Sequence, residues 1–206
     1  VAAEFGLKVM VGAWVDKNSE RNEREIDAAI QLARRNSNVI GVVVGNEVIY
    51  RGEQKVDDLI EMIKRVKKSV GVPVTTGEIW HIWREFPRLV NNVDFIAAHV
   101  LPYWENFTDS QAVDQAVDRF NLLRDLFPGK RVVIAEFGWP SAGYNLLNAV
   151  PGQFEQASVL RNFVARAEAI GMDYNIVEAI DQPWKFFEGG VGPYWGILNA
   201  AREAKF

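Results

Sequence analysis

RVVIAEFGWPS, residues 131–141, is the stretch that decides how this chain is read. Val132, Val133, Ile134 and Ala135 form a short apolar run, rich in β-branched residues and too brief for a typical helix, so they predict a buried strand. Glu136 follows at once. Gly138 and Pro140 then end regular structure, which sets the carboxylate at the carboxyl end of the strand, where a loop begins. A carboxylate buried there without a partner is costly, so this one is solvated, paired or functional.

A second stretch repeats the arrangement. VIGVVVGNEV, residues 39–48, is another apolar run that closes on polar residues, Asn46 and Glu47. Two strands of one sheet that each deliver a glutamate at the same end place two carboxylates on one cavity. Cleavage of a glycosidic bond needs such a pair, one carboxyl protonated to donate and one ionised to attack. Taken singly, each glutamate reads equally well as a salt-bridged strand end, because charged side chains usually stay solvated or paired. Taken together with the chain's aromatic residues, they favour the functional reading.

Outward from these stretches, strand and helix alternate. Residues 1–5 read as the end of a helix stopped by Gly6, and residues 7–14 as a strand. Residues 20–35 carry Ile26, Ala29, Ile30 and Ala33 at helical spacing. After the strand over 39–47, residues 53–70 form a helix with Val56, Leu59, Ile60, Ile63 and Val66 inward and lysines outward. Gly71 stops it. A strand over 72–80, a short helix over 82–90 interrupted by Pro87 and a strand over 93–101 come next. The helix over 110–127 closes at Pro128-Gly129. Beyond the strand over 131–136 lie a long loop, a helix over 153–170, a strand over 174–180, a Gly- and aromatic-rich loop and a short tail helix.

Near-continuous apolar strands alternating with amphipathic helices predict parallel strands covered by helices, an α/β fold in a single domain over 1–206. An open doubly wound sheet and a closed barrel compete. The open sheet usually carries its ligand on a Gly-rich turn after the first strand. Here polar and aromatic residues recur at the ends of successive strands: Trp14, Asn46 with Glu47, Glu78 with Trp80, His99 with Tyr103, Glu136 with Trp139, and Asp181 with Trp184. That convergence belongs to the (β/α)8 TIM-barrel type. Such barrels run to about 250 residues in eight units. Only six units are counted here, so a barrel truncated by roughly two N-terminal βα units is expected. The strand edges this leaves open predict self-association or a compensating rearrangement.

Composition narrows the function classes. The 206 residues are 49% hydrophobic and carry a net charge of −4 from 23 basic and 27 acidic side chains. The one basic block, KRVKK at 64–68, sits in a helical context and reads as a solvated face rather than a nucleic-acid patch. No cysteine is present, which removes disulfides and thiolate metal sites. No apolar run is long enough to span a bilayer and no signal peptide is visible, so the chain is intracellular or a mature or excised segment. His81 and His99 lack metal-ligand spacing, and no metal or cofactor is expected. Ser110, Ser141 and Ser158 lie in no nucleophile elbow. EGGVG at 188–192 is a poor phosphate cradle, because Pro193, Tyr194 and Trp195 follow it rather than a helix start. Seven Trp and twelve Phe, several at strand ends and in loops, suggest stacking sites for a sugar ring.

Four motifs in order give the chain a family likeness. GNEV at 45–48, LPYW at 101–104, EFGWPS at 136–141 and EAIDQPWK at 178–185 resemble glycoside hydrolase family seventeen, nearest its bacterial and fungal β-1,3-glucanosyltransferase branch. The resemblance implies a (β/α)8 barrel, a retaining mechanism on β-1,3-glucan, Glu47 as acid/base and Glu136 as nucleophile. It also implies a secreted, periplasmic or cell-wall setting. Residue chemistry is compatible: Asn46 is placed to bond a sugar hydroxyl or, equally well, to serve as a turn-forming amide, and Tyr103 to donate to Glu136 or to pack as an amphipathic loop residue. Trp104, Trp139 and Trp184 are candidate stacking platforms, with Trp80 and Trp83 as further ones. Lys185 and Glu178 are expected to form a polar network, and Glu78 and His99 complete the candidate substrate contacts. The expected partner is a β-glucan oligosaccharide or polysaccharide. The competing reading is a carbohydrate-binding or scaffolding fragment without a competent site.

Overall fold

The computed structural model describes residues 1–206. Its regular elements in chain order are β1 (Val9–Ala13), α1 (Ser19–Arg35), β2 (Val39–Asn46), α2 (Val56–Ser69), β3 (Val74–Ile79), α3 (Trp80–Glu85), α4 (Pro87–Asn92), β4 (Ile96–His99), α5 (Asp109–Leu126), β5 (Val132–Phe137), α6 (Gln153–Ile170) and β6 (Asp173–Ile176). Six strands share one sheet in the order β1-β2-β3-β4-β5-β6, and the pairs β1–β2, β2–β3 and β5–β6 run parallel. Strands adjacent in sequence and in the sheet, with helices between them, are the (β/α)8 order expected from the sequence, present as six units.

Packing groups the chain into two compact units, residues 1–98 with 123–132, and residues 99–122 with 133–206. In the first unit Leu59, Ile63 and Val66 of α2 are fully buried, as are Val42 and Val44 of β2 and Val74 of β3. Ile26, Ala29 and Ile30 supply the buried stripe of α1. Burying a Leu or Ile side chain fully is worth about 1.5–3 kcal/mol, which exceeds what helix propensity contributes at any one position. Asn18 starts α1 by accepting the Arg21 N–H at 3.0 Å. Three of the four cations of the basic block pair with carboxylates: Lys64 with Glu61, Arg65 with Glu23 and Asp27, and Lys67 with Asp94. Pro87 divides the expected single helix in two, standing in the first turn of α4, where its missing N–H costs nothing.

In the second unit Phe137 of β5 and Phe163 of α6 stack with ring centroids 3.6 Å apart, and Tyr174 of β6 meets Phe163 edge-on at 5.3 Å. Gly171 ends α6 at φ 65°, the left-handed stop that favours glycine. Two expectations fail here. The last strand stops at Ile176 rather than Ile180, because residues 178–181 bond to 195–198 instead: Glu178 N–H to the Trp195 carbonyl at 3.1 Å and Asp181 N–H to the Leu198 carbonyl at 2.9 Å. The tail is a turn and bridge rather than a helix. Asn199 Oδ1 accepts the Ala201 and Glu203 N–H groups, each at 2.9 Å, and so competes with helical bonding. No helix is long and apolar enough to cross a membrane.

Candidate active site

The end of β2 is shaped by glycine. Gly45 has φ 82°, and a Cβ there would collide with the Val48 side chain. Glu47 itself sits at φ 52°, a left-handed conformation that costs a non-glycine residue about 1–2 kcal/mol. It is held there from both sides: its N–H donates to the Gly77 carbonyl at 2.7 Å, and its carbonyl accepts the Arg51 N–H at 2.8 Å. Glu78 is fully buried, and its carboxylate accepts the Ile49 N–H at 2.7 Å and the Tyr50 N–H at 3.3 Å. That ties down the turn after Glu47, so Glu78, expected as a substrate contact, is a loop support. Trp83, expected as a stacking platform, is likewise buried, its indole donating to the Glu78 and Ala97 carbonyls. Asn46 is half-buried beside Glu47, its carbonyl taken by Arg51 Nε at 3.1 Å.

The ends of β4 and β5 meet in the second unit. The Val100 N–H donates to the Glu136 carbonyl at 2.9 Å, and His99 Nε2 lies 3.6 Å from Glu136 Oε1. The imidazole is buried while the carboxylate is 29% exposed, so His99 stands behind Glu136 as an electrostatic neighbour. Tyr103 does not take the role expected of it. Its hydroxyl donates to the Tyr144 carbonyl at 2.6 Å, which fixes the loop after β5 rather than Glu136. Burial, and then the neighbouring Tyr144, push the Tyr103 pKa up to about 12.

The three expected tryptophan platforms divide. Trp139 is fully buried, with its indole donating to the Val150 carbonyl at 3.0 Å, so it supports the wall and offers no open face. Trp104 is 40% exposed and stacks at 26° on Trp195, centroids 5.9 Å apart. Trp184 is 58% exposed. The expected polar network is present: Lys185 Nζ lies 3.0 Å from Glu178 Oε2, which also accepts Gln182 Nε2 at 2.6 Å.

Sequence reasoning missed two supports. Lys205, almost fully buried, ties the tail to Asp181 at 2.7 Å and to Ser141 Oγ at 2.6 Å. Gln156 of α6 donates to the Trp139 carbonyl at 2.8 Å and the Gly196 carbonyl at 3.2 Å. Gln156 lies on the buried face of its helix, and a polar residue at an apolar-periodic position is the one signal that marks it. Lys205 carries no such signal.

A family model of the BtgE/BtgC glycoside hydrolase domain matches residues 1–196. The crystal structure of a family 17 β-1,3-glucanosyltransferase from Rhizomucor miehei superposes with a TM-score of 0.89 at 30% identity, covering 98% of this chain and 76% of that one. This chain belongs to glycoside hydrolase family 17. An active-site mutant of the same Rhizomucor miehei transferase, in complex with laminaritriose, superposes on the family 17 chain with a TM-score of 0.88, again at 30% identity over 98% of this chain and 76% of that one. The "Probable glucan endo-1,3-beta-glucosidase btgC" of Aspergillus fumigatus is 30% identical over 233 residues, covering 97% of the family 17 chain. The chain spans about one third of the length of that relative.

Proposed function

We propose that the chain is a retaining β-1,3-glucan glycosidase or glucanosyltransferase, with Glu136 as nucleophile and Glu47 as acid/base. The observation that carries this reading is the placement of the two motif glutamates. Each stands at the carboxyl end of its strand, β2 or β5, within one family 17 sheet, and Glu47 is held in a costly backbone conformation. Strain of that kind persists where the surroundings enforce it, and it gathers at reacting groups.

In the first step a Glu136 carboxylate oxygen bonds to the anomeric carbon. The bond from that carbon to the departing sugar oxygen breaks, and that oxygen takes the proton of Glu47. Glu47, now ionised, removes a proton from water or from an acceptor sugar hydroxyl, whose oxygen displaces Glu136 and regenerates both groups. A retaining site needs the two carboxyl groups about 5–5.5 Å apart. His99, 3.6 Å from Glu136, adds a polar neighbour to the nucleophile. Asn46, Trp104, Trp184 and Lys185 are assigned to sugar binding, Trp104 and Trp184 through their exposed rings.

Incubation with laminari-oligosaccharides, followed by mass spectrometry, tests the reading. Longer products indicate transfer and shorter ones hydrolysis. Binding without any change in length would replace the enzyme by a carbohydrate-binding fragment. A 2-deoxy-2-fluoro glucosyl donor should add one sugar mass to the peptide that contains Glu136. Label on another carboxylate would reassign the nucleophile.

A further inference from the structure

Trp14 stands just past β1 and is 44% exposed, yet nearly everything that fixes a tryptophan in place is present. Its indole Nε1 donates to Asp16 Oδ2 at 3.2 Å. Asp16 is itself buried and immobilised: it accepts the Asn18 N–H at 2.7 Å, pairs with Arg21, and its backbone exchanges bonds of 2.9 and 2.7 Å with the Asn22 amide. The guanidinium of Arg51 lies over the ring, 4.4 Å from its centroid. Arg51 is clamped in turn by the Asn46 carbonyl at 3.1 Å and the Val15 carbonyl at 3.0 Å.

The ring thus has its one polar atom satisfied and one face covered, and the residue still remains 44% exposed. Trp83 and Trp139 show what a structural tryptophan looks like in this protein, since both have bonded indoles and both are fully buried. Trp14 has the bonded indole without the burial. A rigid, exposed ring of this kind loses little freedom when a flat apolar face settles on it, and the C–H face of a pyranose is such a surface.

We infer that Trp14, braced by Asp16 and Arg51, is a stacking subsite for a glucose ring of the β-1,3-glucan chain. The inference rests on the function proposed above and deepens it. Arg51 connects the platform to the proposed acid/base, because its side chain holds the Asn46 carbonyl while its N–H holds the Glu47 carbonyl at 2.8 Å. A ring seated on Trp14 thus rests on the same Arg51 that braces the turn carrying Glu47.

Calorimetric titration of laminarihexaose into the Glu136→Gln protein, with and without changes at Trp14, tests this. Trp14→Ala is expected to weaken binding about tenfold. Trp14→Phe, which keeps a smaller ring and serves if the alanine variant does not fold, is expected to weaken it about threefold. In the Glu136 background, KM should rise by the same factors with kcat within about twofold, since a remote stacking contact is made equally before and at the transition state. An unchanged dissociation constant in a folded Trp14 variant overturns the subsite while leaving the enzyme reading intact. A wild-type protein that neither turns over nor binds laminarihexaose overturns both.

Discussion

Glu47 occupies a backbone conformation, φ 52°, that its own side chain disfavours, and the residues around it divide the work of keeping it there. Gly45 supplies the turn into it at φ 82°, and Glu78 collects the amides that follow. Gly45→Ala should therefore cost at least about 1–2 kcal/mol from the left-handed backbone alone, with the clash against Val48 added. Urea unfolding measures the loss, and an unchanged midpoint would contradict the strain account. The two proposed catalytic roles separate by chemical rescue. Glu136→Ala and Glu47→Ala should each lower kcat/KM by at least about 10²–10⁴-fold. Azide added to an activated glucosyl donor should then give the α-glucosyl azide with the Glu136 variant and the β-anomer with the Glu47 variant. The same anomer from both variants would break the assignment of roles.

Among the elements, α2 was fully legible. Val56, Leu59, Ile60, Ile63 and Val66 recur at helical spacing, and every one of them is buried. The strand ends that carry Glu47 and Glu136 were legible for a similar reason, since an apolar run closing on a glutamate and a glycine has few other readings. What lay beyond those ends was not. Trp139 and Trp184 read alike in sequence, yet one is fully buried and the other 58% exposed, because irregular loops have no period from which to infer a side chain's direction. The early end of β6 was hidden for another reason: its continuation is captured by residues 195–198, a partner far along the chain. The packing of α6 on β5 offers a test at this scale. Phe163 is buried against Phe137, the residue after Glu136. Phe163→Ala should lower stability by about 3–5 kcal/mol, as truncations of buried aromatic residues do. It should also reduce kcat in the fraction that remains folded. Thermal unfolding and kinetics run side by side check both, and a large stability loss with unaltered kcat would show that the end of β5 is held without this contact.

For the whole molecule, two groups make stability depend on pH at opposite ends of the scale. The Asn18 N–H, opposed by burial and assisted by Trp14 and Arg21, holds the Asp16 carboxyl below its ordinary value of 3.8. A depressed acid stabilises the fold when ionised, so its contribution is complete above the unfolded value and is lost as pH falls through the lower, folded one. Tyr103 works in the other direction. Its pKa rises from 10.0 to about 12, so its contribution is complete below 10.0 and fades as pH climbs to about 12. Stability should therefore run level with respect to these two groups between about pH 4 and pH 10 and fall outside that range. Asp16→Asn should flatten the acid limb of a Tm-against-pH curve and leave the alkaline limb unchanged. Tyr103→Phe should flatten the alkaline limb and lower the unfolding free energy across the plateau by about 0.5–1.5 kcal/mol, the worth of its bond to the Tyr144 carbonyl. If each variant keeps the slope of the wild type on its own limb, neither group governs the limit assigned to it.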